Sequence, residues 1–238
     1  MSELKDRVAI ITGASGNLGS AVAKKLITSG SKLALVDRHL DILQNVYKGD
    51  FDPENTMFVA PADVLDKSSV ESMITDILDR FNRIDILVNT VGGYRAGTPT
   101  HETTLETWDY MLNLNARSVF ITSSAIIPAM IEQNSGKIIN IASRAALVGS
   151  ANAAAYSASK SAVIKISESM SSELKDFGIN VNCVIPGTLD TVQNRQSMPD
   201  ANFDSWVAPT SIADVILFLA SDASRDIHGA AIPIYGLS

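Results

Sequence analysis

Apolar residues in this chain fall into two alternating patterns. Short runs rich in β-branched side chains recur at Val8–Thr12, Lys32–Asp37, Thr56–Ala60, Ile84–Asn89, Lys137–Ala142, Ile179–Ile185 and Ala230–Tyr235. Between them, apolar positions return every three or four residues over 17–29, 39–48, 67–81, 105–133, 153–177 and 210–221. Near-continuous apolar strands suit a parallel sheet buried on both faces, with the helices supplying the cover. The pattern predicts a three-layer, doubly wound α/β Rossmann fold with a seven-stranded parallel sheet. No repeat, low-complexity tract or shift in composition interrupts it, so residues 1–238 are expected to form one domain. Gly187–Thr210 is polar, lacks a period and contains Pro199 and Pro209. It reads as a loop whose span of 188–209 forms a flap at the carboxyl edge of the sheet, where such folds bind ligands.

Charge and composition narrow the function classes. The net charge is −7, with no dense Lys/Arg run, so no nucleic-acid partner is expected. Cys183 is the only cysteine and lies in an apolar strand, which predicts a buried, inert thiol. His39, His101 and His228 lack ligand spacing, so no metal is expected. The charged start leads straight into Val8, and no uninterrupted apolar run reaches 18 residues. The expectation is a cytoplasmic protein with no membrane partner.

Chemistry-bearing residues cluster at strand ends. Thr12-Gly13-Ala14-Ser15-Gly16-Asn17-Leu18-Gly19 joins the first strand to the first helix. Glycines there let the backbone approach a pyrophosphate, and the helix start offers N–H groups and partial positive charge. The second strand ends at Asp37, whose carboxylate could accept from both hydroxyls of an adenosine ribose or simply cap the next helix. Arg38 could instead accommodate a 2′-phosphate. The balance favours NAD(H) over NADP(H).

Tyr156 and Lys160 stand four residues apart, on one face of a helix. A cation beside a phenol lowers its pKa from about 10 toward a useful acid–base range. Chance alone can produce such a pair. Ser143, at the end of the fifth strand, could polarise a substrate oxygen, and Asn115 is an amide among apolar neighbours that must find partners if buried.

With these pieces in order, the chain resembles the short-chain dehydrogenase/reductase family over essentially its whole length. The shared motifs are the Thr12–Gly19 turn, Asp63 in Ala-Asp-Val, Asn89-Thr90-Val91-Gly92, Asn115, Ser143, Tyr156-x-x-x-Lys160 and Pro186-Gly187-x-x-x-Thr191. The resemblance implies interconversion of a carbonyl and an alcohol, with Tyr156 exchanging the proton and Ser143 orienting the carbonyl. Lys160 would hold the nicotinamide ribose and depress the tyrosine pKa, and Asn115 would anchor a relay water. Gly13, Ser15, Gly16, Asn17, Leu18 and Gly19 would cradle phosphate. Asp37 and Arg38 would face the adenosine ribose, and Asp63 and Val64 the adenine. Asn89, Val91 and Gly92 would stabilise the sheet edge beside the cofactor, and Pro186, Gly187, Leu189 and Thr191 would position the nicotinamide amide.

The sequence departs from the family at Asn17, where glycine is usual, at Thr90-Val91, and in the Tyr235–Ser238 ending. Substrate contacts are expected from Tyr94, Arg95, Arg144, Val148 and Trp206, with either arginine able to meet an acidic group. The flap from Thr188 to Trp206 is similar to that of dihydropteridine reductases, which makes a pterin the alternative substrate. A non-catalytic dinucleotide-binding sensor is the competing class, though it would not need Asn115, Ser143, Tyr156 and Lys160 together. Apolar faces on 105–133 and 153–177 predict a homodimer or homotetramer.

Overall fold

The computed structural model describes residues 4–48 and 57–237. Seven strands, β1 (Val8–Thr12), β2 (Lys32–Asp37), β3 (Met57–Pro61), β4 (Ile86–Asn89), β5 (Gly136–Ile141), β6 (Ile179–Pro186) and β7 (Ala231–Ile234), pair in the order 3-2-1-4-5-6-7. Every pairing is parallel. The helices are α1 (Asn17–Thr28), α2 (Leu40–Val46), α3 (Lys67–Phe81), α4 (Leu105–Leu112), α5 (Ser118–Gln133), α6 (Ala154–Leu174), α7 (Val192–Ser197) and α8 (Pro209–Ala220).

The period of two along each strand divides the core. Ala9, Ile11, Leu33, Leu35, Ile86 and Val88 pack with α1 and α8 on one face of the sheet. Their neighbours Val8, Ile10, Ala34, Val36 and Leu87 pack with α3, α5 and α6 on the other. Strands buried on both faces therefore read as unbroken apolar runs. Strand order reverses between β1 and β4, the crevice where this architecture takes ligands.

Several expected boundaries move. Thr56, the expected start of the third strand, lies outside the described residues. Ile84 and Asp85 fall outside β4: both backbone groups of Ile84 bond the Gln133 side chain, and the Asp85 carboxylate accepts from Val8 N at 2.9 Å. The expected helix 105–133 is α4 and α5 joined by a π-helical turn at Asn113–Arg117. Apolar on average without being continuously so, Leu105–Gln133 is long enough to cross a membrane. Half of its most apolar window is nonetheless buried inside the protein, as in a core helix. The flap is not all loop: it holds α7 and a 3₁₀ turn at Phe203–Ser205.

Candidate active site

The chain leaves β1 through Gly13, whose φ of +66° is a left-handed conformation that suits glycine. A Cβ on Gly19 would stand 2.2 Å from the Gly13 carbonyl oxygen, so α1 packs on the turn only because that position is bare. No side chain caps the start of α1 at Gly16, which leaves its first N–H groups for an anion. Gly19→Ala is expected to cost about 1–3 kcal/mol of stability through overpacking. It should also weaken dinucleotide binding about tenfold or more, as read by thermal unfolding and NADH titration.

Asp37 faces this turn. Its carboxylate accepts from Ser15 Oγ at 2.5 Å and Ser15 N at 3.3 Å, with only a long bond from His39 N at 3.4 Å toward α2. His39, not Asp37, occupies the N-cap of α2. Tyr47 props the turn from below by donating to the Ala14 carbonyl at 2.7 Å. Burial, then the Asp37 charge, pushes that phenol well above its usual range.

Asp37 and the turn open onto a cavity of about 340 Å³. Gly13, Ser15, Gly16 and Arg38 line one side, Asp63, Val64, Val91 and Gly92 another, and Tyr110 and Leu114 close it. The Asp63 carboxylate is itself engaged by Leu65 N at 2.9 Å.

Ten expected cofactor residues do not line this cavity: Asn17, Leu18 and Gly19 on α1, Asn89 at the end of β4, Tyr156 and Lys160 on α6, and Pro186, Gly187, Leu189 and Thr191 at and beyond the end of β6. Leu18 is part of the core, since its side chain falls on the buried face of α1. The Asn17 amide donates to Gln193 in α7 at 3.3 Å, tying the phosphate turn to the flap. Asn89 belongs to the interior of the sheet. It donates to Asn140 Oδ1 at 2.9 Å and Ser123 Oγ at 3.3 Å, and accepts from Thr122 Oγ1 at 2.8 Å. A side chain pointing into the layers can only brace β4 against β5 and α5.

Ser143 follows β5, where its Oγ accepts from Ala145 N at 3.3 Å and starts a 3₁₀ turn. Tyr156 and Lys160 lie on α6, one turn apart. The Lys160 ammonium is buried and donates to the Ile141 carbonyl at 2.8 Å; burial lowers its pKa to about 8. The Tyr156 phenol is held above its usual 10, first by burial, with a Ser143 hydrogen bond pulling it down and Tyr94 pushing it up. The expected loosening of the phenol by Lys160 is therefore not what dominates here. Lys160 turns to the end of β5 and shares the same dry surroundings, which penalise both charged forms.

Asn115 sits in the π-helical turn and is fully buried. Its Oδ1 accepts from Gly93 N at 2.9 Å, and its Nδ2 donates to the Gly93 carbonyl at 3.1 Å and to Ser159 Oγ at 3.0 Å. The amide thus fastens the loop after β4 to α6. A Cβ on Gly92 would lie 2.9 Å from Asn115 Oδ1 and 3.1 Å from Lys160 Nζ, so these three residues meet.

Pro186 ends β6, and Gly187 N donates to Ile234 O at 2.8 Å. Leu189 bridges Val207, and Thr191 caps α7 by accepting from Asn194 N at 3.1 Å. Arg195 grips Asp190 with two bonds of 2.6 and 2.8 Å and lies over the Phe203 ring, which packs on Trp206. The chain's end closes on the flap through Leu237 N to Ser205 O at 3.0 Å.

The substrate candidates divide. Tyr94 meets the Tyr156 ring edge-on, with centroids 4.8 Å apart, and shares a second cavity of about 440 Å³ with Arg95. Arg144 stands over Tyr235, Val148 is exposed and Trp206 packs in the flap; none of these three lines either cavity. Sequence reasoning missed Tyr110, Tyr47 and Ser159. Ser159 alone carried a signal, since it lies within the Tyr156–Lys160 motif. Cys183 is buried, with its thiol pushed up to about 12, as its apolar strand implied.

This geometry is that of a dinucleotide-dependent oxidoreductase, and comparison with known proteins agrees. The family model "short chain dehydrogenase" matches residues 7–202. An oxidoreductase of Staphylococcus haemolyticus is 36% identical over 218 residues, covering 92% of each chain. The 2-(R)-hydroxypropyl-CoM dehydrogenase of Xanthobacter autotrophicus is 32% identical over 244 residues, 97% of each. The crystal structure of levodione reductase superposes with a TM-score of 0.90 at 30% identity, covering 98% of this chain and 97% of its own. The chain belongs to the short-chain dehydrogenase family and is an oxidoreductase. That family binds nicotinamide dinucleotides and acts on small molecules.

Proposed function

We propose that this chain is an NAD(H)-dependent enzyme that interconverts a carbonyl and an alcohol, with Tyr156 as the proton-exchanging group. The observation that carries the reading is the convergence at one sheet edge of the Gly13–Gly16 cavity, the buried Lys160 ammonium, Tyr156 and Ser143. The residues fit a dinucleotide: bare glycine positions, an uncapped helix start for the pyrophosphate, and Asp37 for the adenosine ribose. When bound, the cofactor supplies or accepts the hydride.

The chain's own residues do the rest. Lys160 would hold ribose hydroxyls beside Tyr156, and those bonds favour its charged form. Ser143 orients the substrate oxygen and hydrogen-bonds the phenol. Tyr156, protonated at neutral pH, gives its proton to a carbonyl oxygen that gains charge, and takes it back in the reverse direction. Asn115 keeps Gly93 and Ser159 in register so that Lys160 and Gly92 stay together. The pterin reading has only the flap sequence behind it, and no relative or structural observation supports it.

Purified protein given NADH or NADPH with a panel of ketones and secondary alcohols, followed by absorbance of the reduced cofactor, tests the proposal. Turnover of none of them would overturn it. Cofactor choice rests on Asp37, because a carboxylate accepts from ribose hydroxyls and repels a 2′-phosphate. Asp37→Ala is expected to weaken NADH binding about tenfold or more and to narrow the NADH/NADPH preference. Parallel titrations of both cofactors check this; an unchanged preference would mean that Asp37 only braces Ser15.

A further inference from the structure

We infer that the second cavity is an anion-recognition pocket, and that the enzyme's substrates carry a carboxylate or similar acidic group that Arg95 binds. The inference rests on the proposed carbonyl–alcohol chemistry and names the substrate class for it.

The cavity lies between the loop after β4 and the start of α6. Tyr94 is its shared wall: the ring that lines the pocket packs edge-on against Tyr156. The pocket therefore adjoins the phenol, one ring away, and the substrate's acidic end would reach it past Tyr94.

The lining mixes polar side chains with Tyr94 and four alanines, and its charge is of one sign. Arg95 brings a guanidinium, while Thr98, Thr103, Thr107 and Asn152 bring neutral donors and acceptors, and no carboxylate lines the pocket. Arg95 is also held in place. Its guanidinium carbon sits 3.7 Å from the centroid of the Tyr110 ring, a stacking that leaves the edge N–H groups available. Among the described residues, no acidic side chain forms an ion pair with it. Arg195, by contrast, is committed to Asp190 through two bonds.

The pocket's shape is fixed by unusual backbone. Asn152 adopts a left-handed φ of +61°, and its carbonyl accepts from Gly97 N at 2.8 Å. Gly97 itself has a φ of +107°. This bond clamps the two loops together across the pocket. A planar guanidinium held on an aromatic ring, in a pocket lined by neutral hydroxyls, suits a carboxylate, which takes two parallel N–H···O bonds.

A series of oxo acids with one to four methylenes between ketone and carboxylate, each assayed against its own methyl ester, tests the inference. For at least one spacing, kcat/KM for the acid should exceed that for the ester by about tenfold or more. Arg95→Met should bring that acid/ester ratio close to one, mainly through the KM of the acid, and Arg95→Lys should restore part of it. An ester used as well as its acid at every spacing would overturn the inference and leave the carbonyl–alcohol reading standing. So would an Arg95→Met variant that loses acid and ester activity equally with a raised NADH Kd, since Arg95 would then serve Tyr110 and the cofactor cavity. If the wild type turns over neither, the panel of ketones and secondary alcohols alone decides the carbonyl–alcohol reading. The pocket is then probed by titrating benzoate against benzamide, and equal binding of the two would overturn the anion assignment.

Discussion

Tyr156→Phe is expected to lower kcat by about 10²- to 10⁴-fold while leaving NADH affinity little changed. The substitution removes one oxygen and keeps the ring, so the edge-on contact with Tyr94 and the packing of α6 survive. What disappears is the phenol proton, which the proposed mechanism hands to a carbonyl oxygen beside Ser143. Burial matters to the direction of this chemistry. A phenol held above its usual pKa stays protonated through neutrality, which suits donation to a carbonyl. Reduction should therefore be fastest near neutral pH and fall as pH rises through about 8, the midpoint at which Lys160 loses its charge. Stopped-flow measurement of NADH oxidation separates the chemical step from product release. A Phe variant with wild-type single-turnover rates would remove Tyr156 from the reaction.

Which parts of this molecule could be read from the sequence follows from how local their causes are. Strands buried on both faces announce themselves, because every residue of Val8–Thr12 or Ile179–Pro186 must be apolar or internally paired. Asn115 was legible as a buried amide needing partners, but not as the clamp on Gly93. That depends on a π-helical turn whose residues, Asn113–Arg117, would serve equally well in an ordinary helix. Helix α7 was missed because six residues with no apolar period leave only the Thr191 cap as a signal. The bracing role expected of Asn89 was legible, but its partners were not. Asn89 ends its strand beside Val88 on one side and a polar Thr90 on the other, so the alternation does not say which way it points, and it pairs inward with Asn140, 51 residues away. The stacking of Arg95 on Tyr110 likewise joins a loop to the helix that follows it, and no sequence spacing encodes that contact.

Lys160→Met is the substitution in which activity and stability should move in opposite directions. Cofactor affinity and kcat are expected to fall together, by about a hundredfold or more in kcat/KM, because the ribose loses its anchor and the site its only buried cation. The fold should gain. Burial depresses the Lys160 pKa from 10.5 to about 8, so at neutral pH the folded state holds a charge that the unfolded chain would hold more easily. At roughly 1.4 kcal/mol per unit the penalty is on the order of 3 kcal/mol, partly offset by the bond to the Ile141 carbonyl. Methionine fills a similar volume without that charge, and a thermal midpoint several degrees above the wild type is expected at pH 7. The sign of the pH dependence follows from linkage. Between about 8 and 10.5 the unfolded chain binds more protons at this site than the folded one, so this lysine's penalty shrinks as pH rises. Wild type and Lys160→Met should therefore converge in stability across that interval and remain apart below it. Thermal or urea unfolding at neutral and alkaline pH measures the gap. A variant less stable than the wild type at pH 7, or a gap indifferent to pH, would mean that the ammonium is well solvated and that its burial is not what tunes this site.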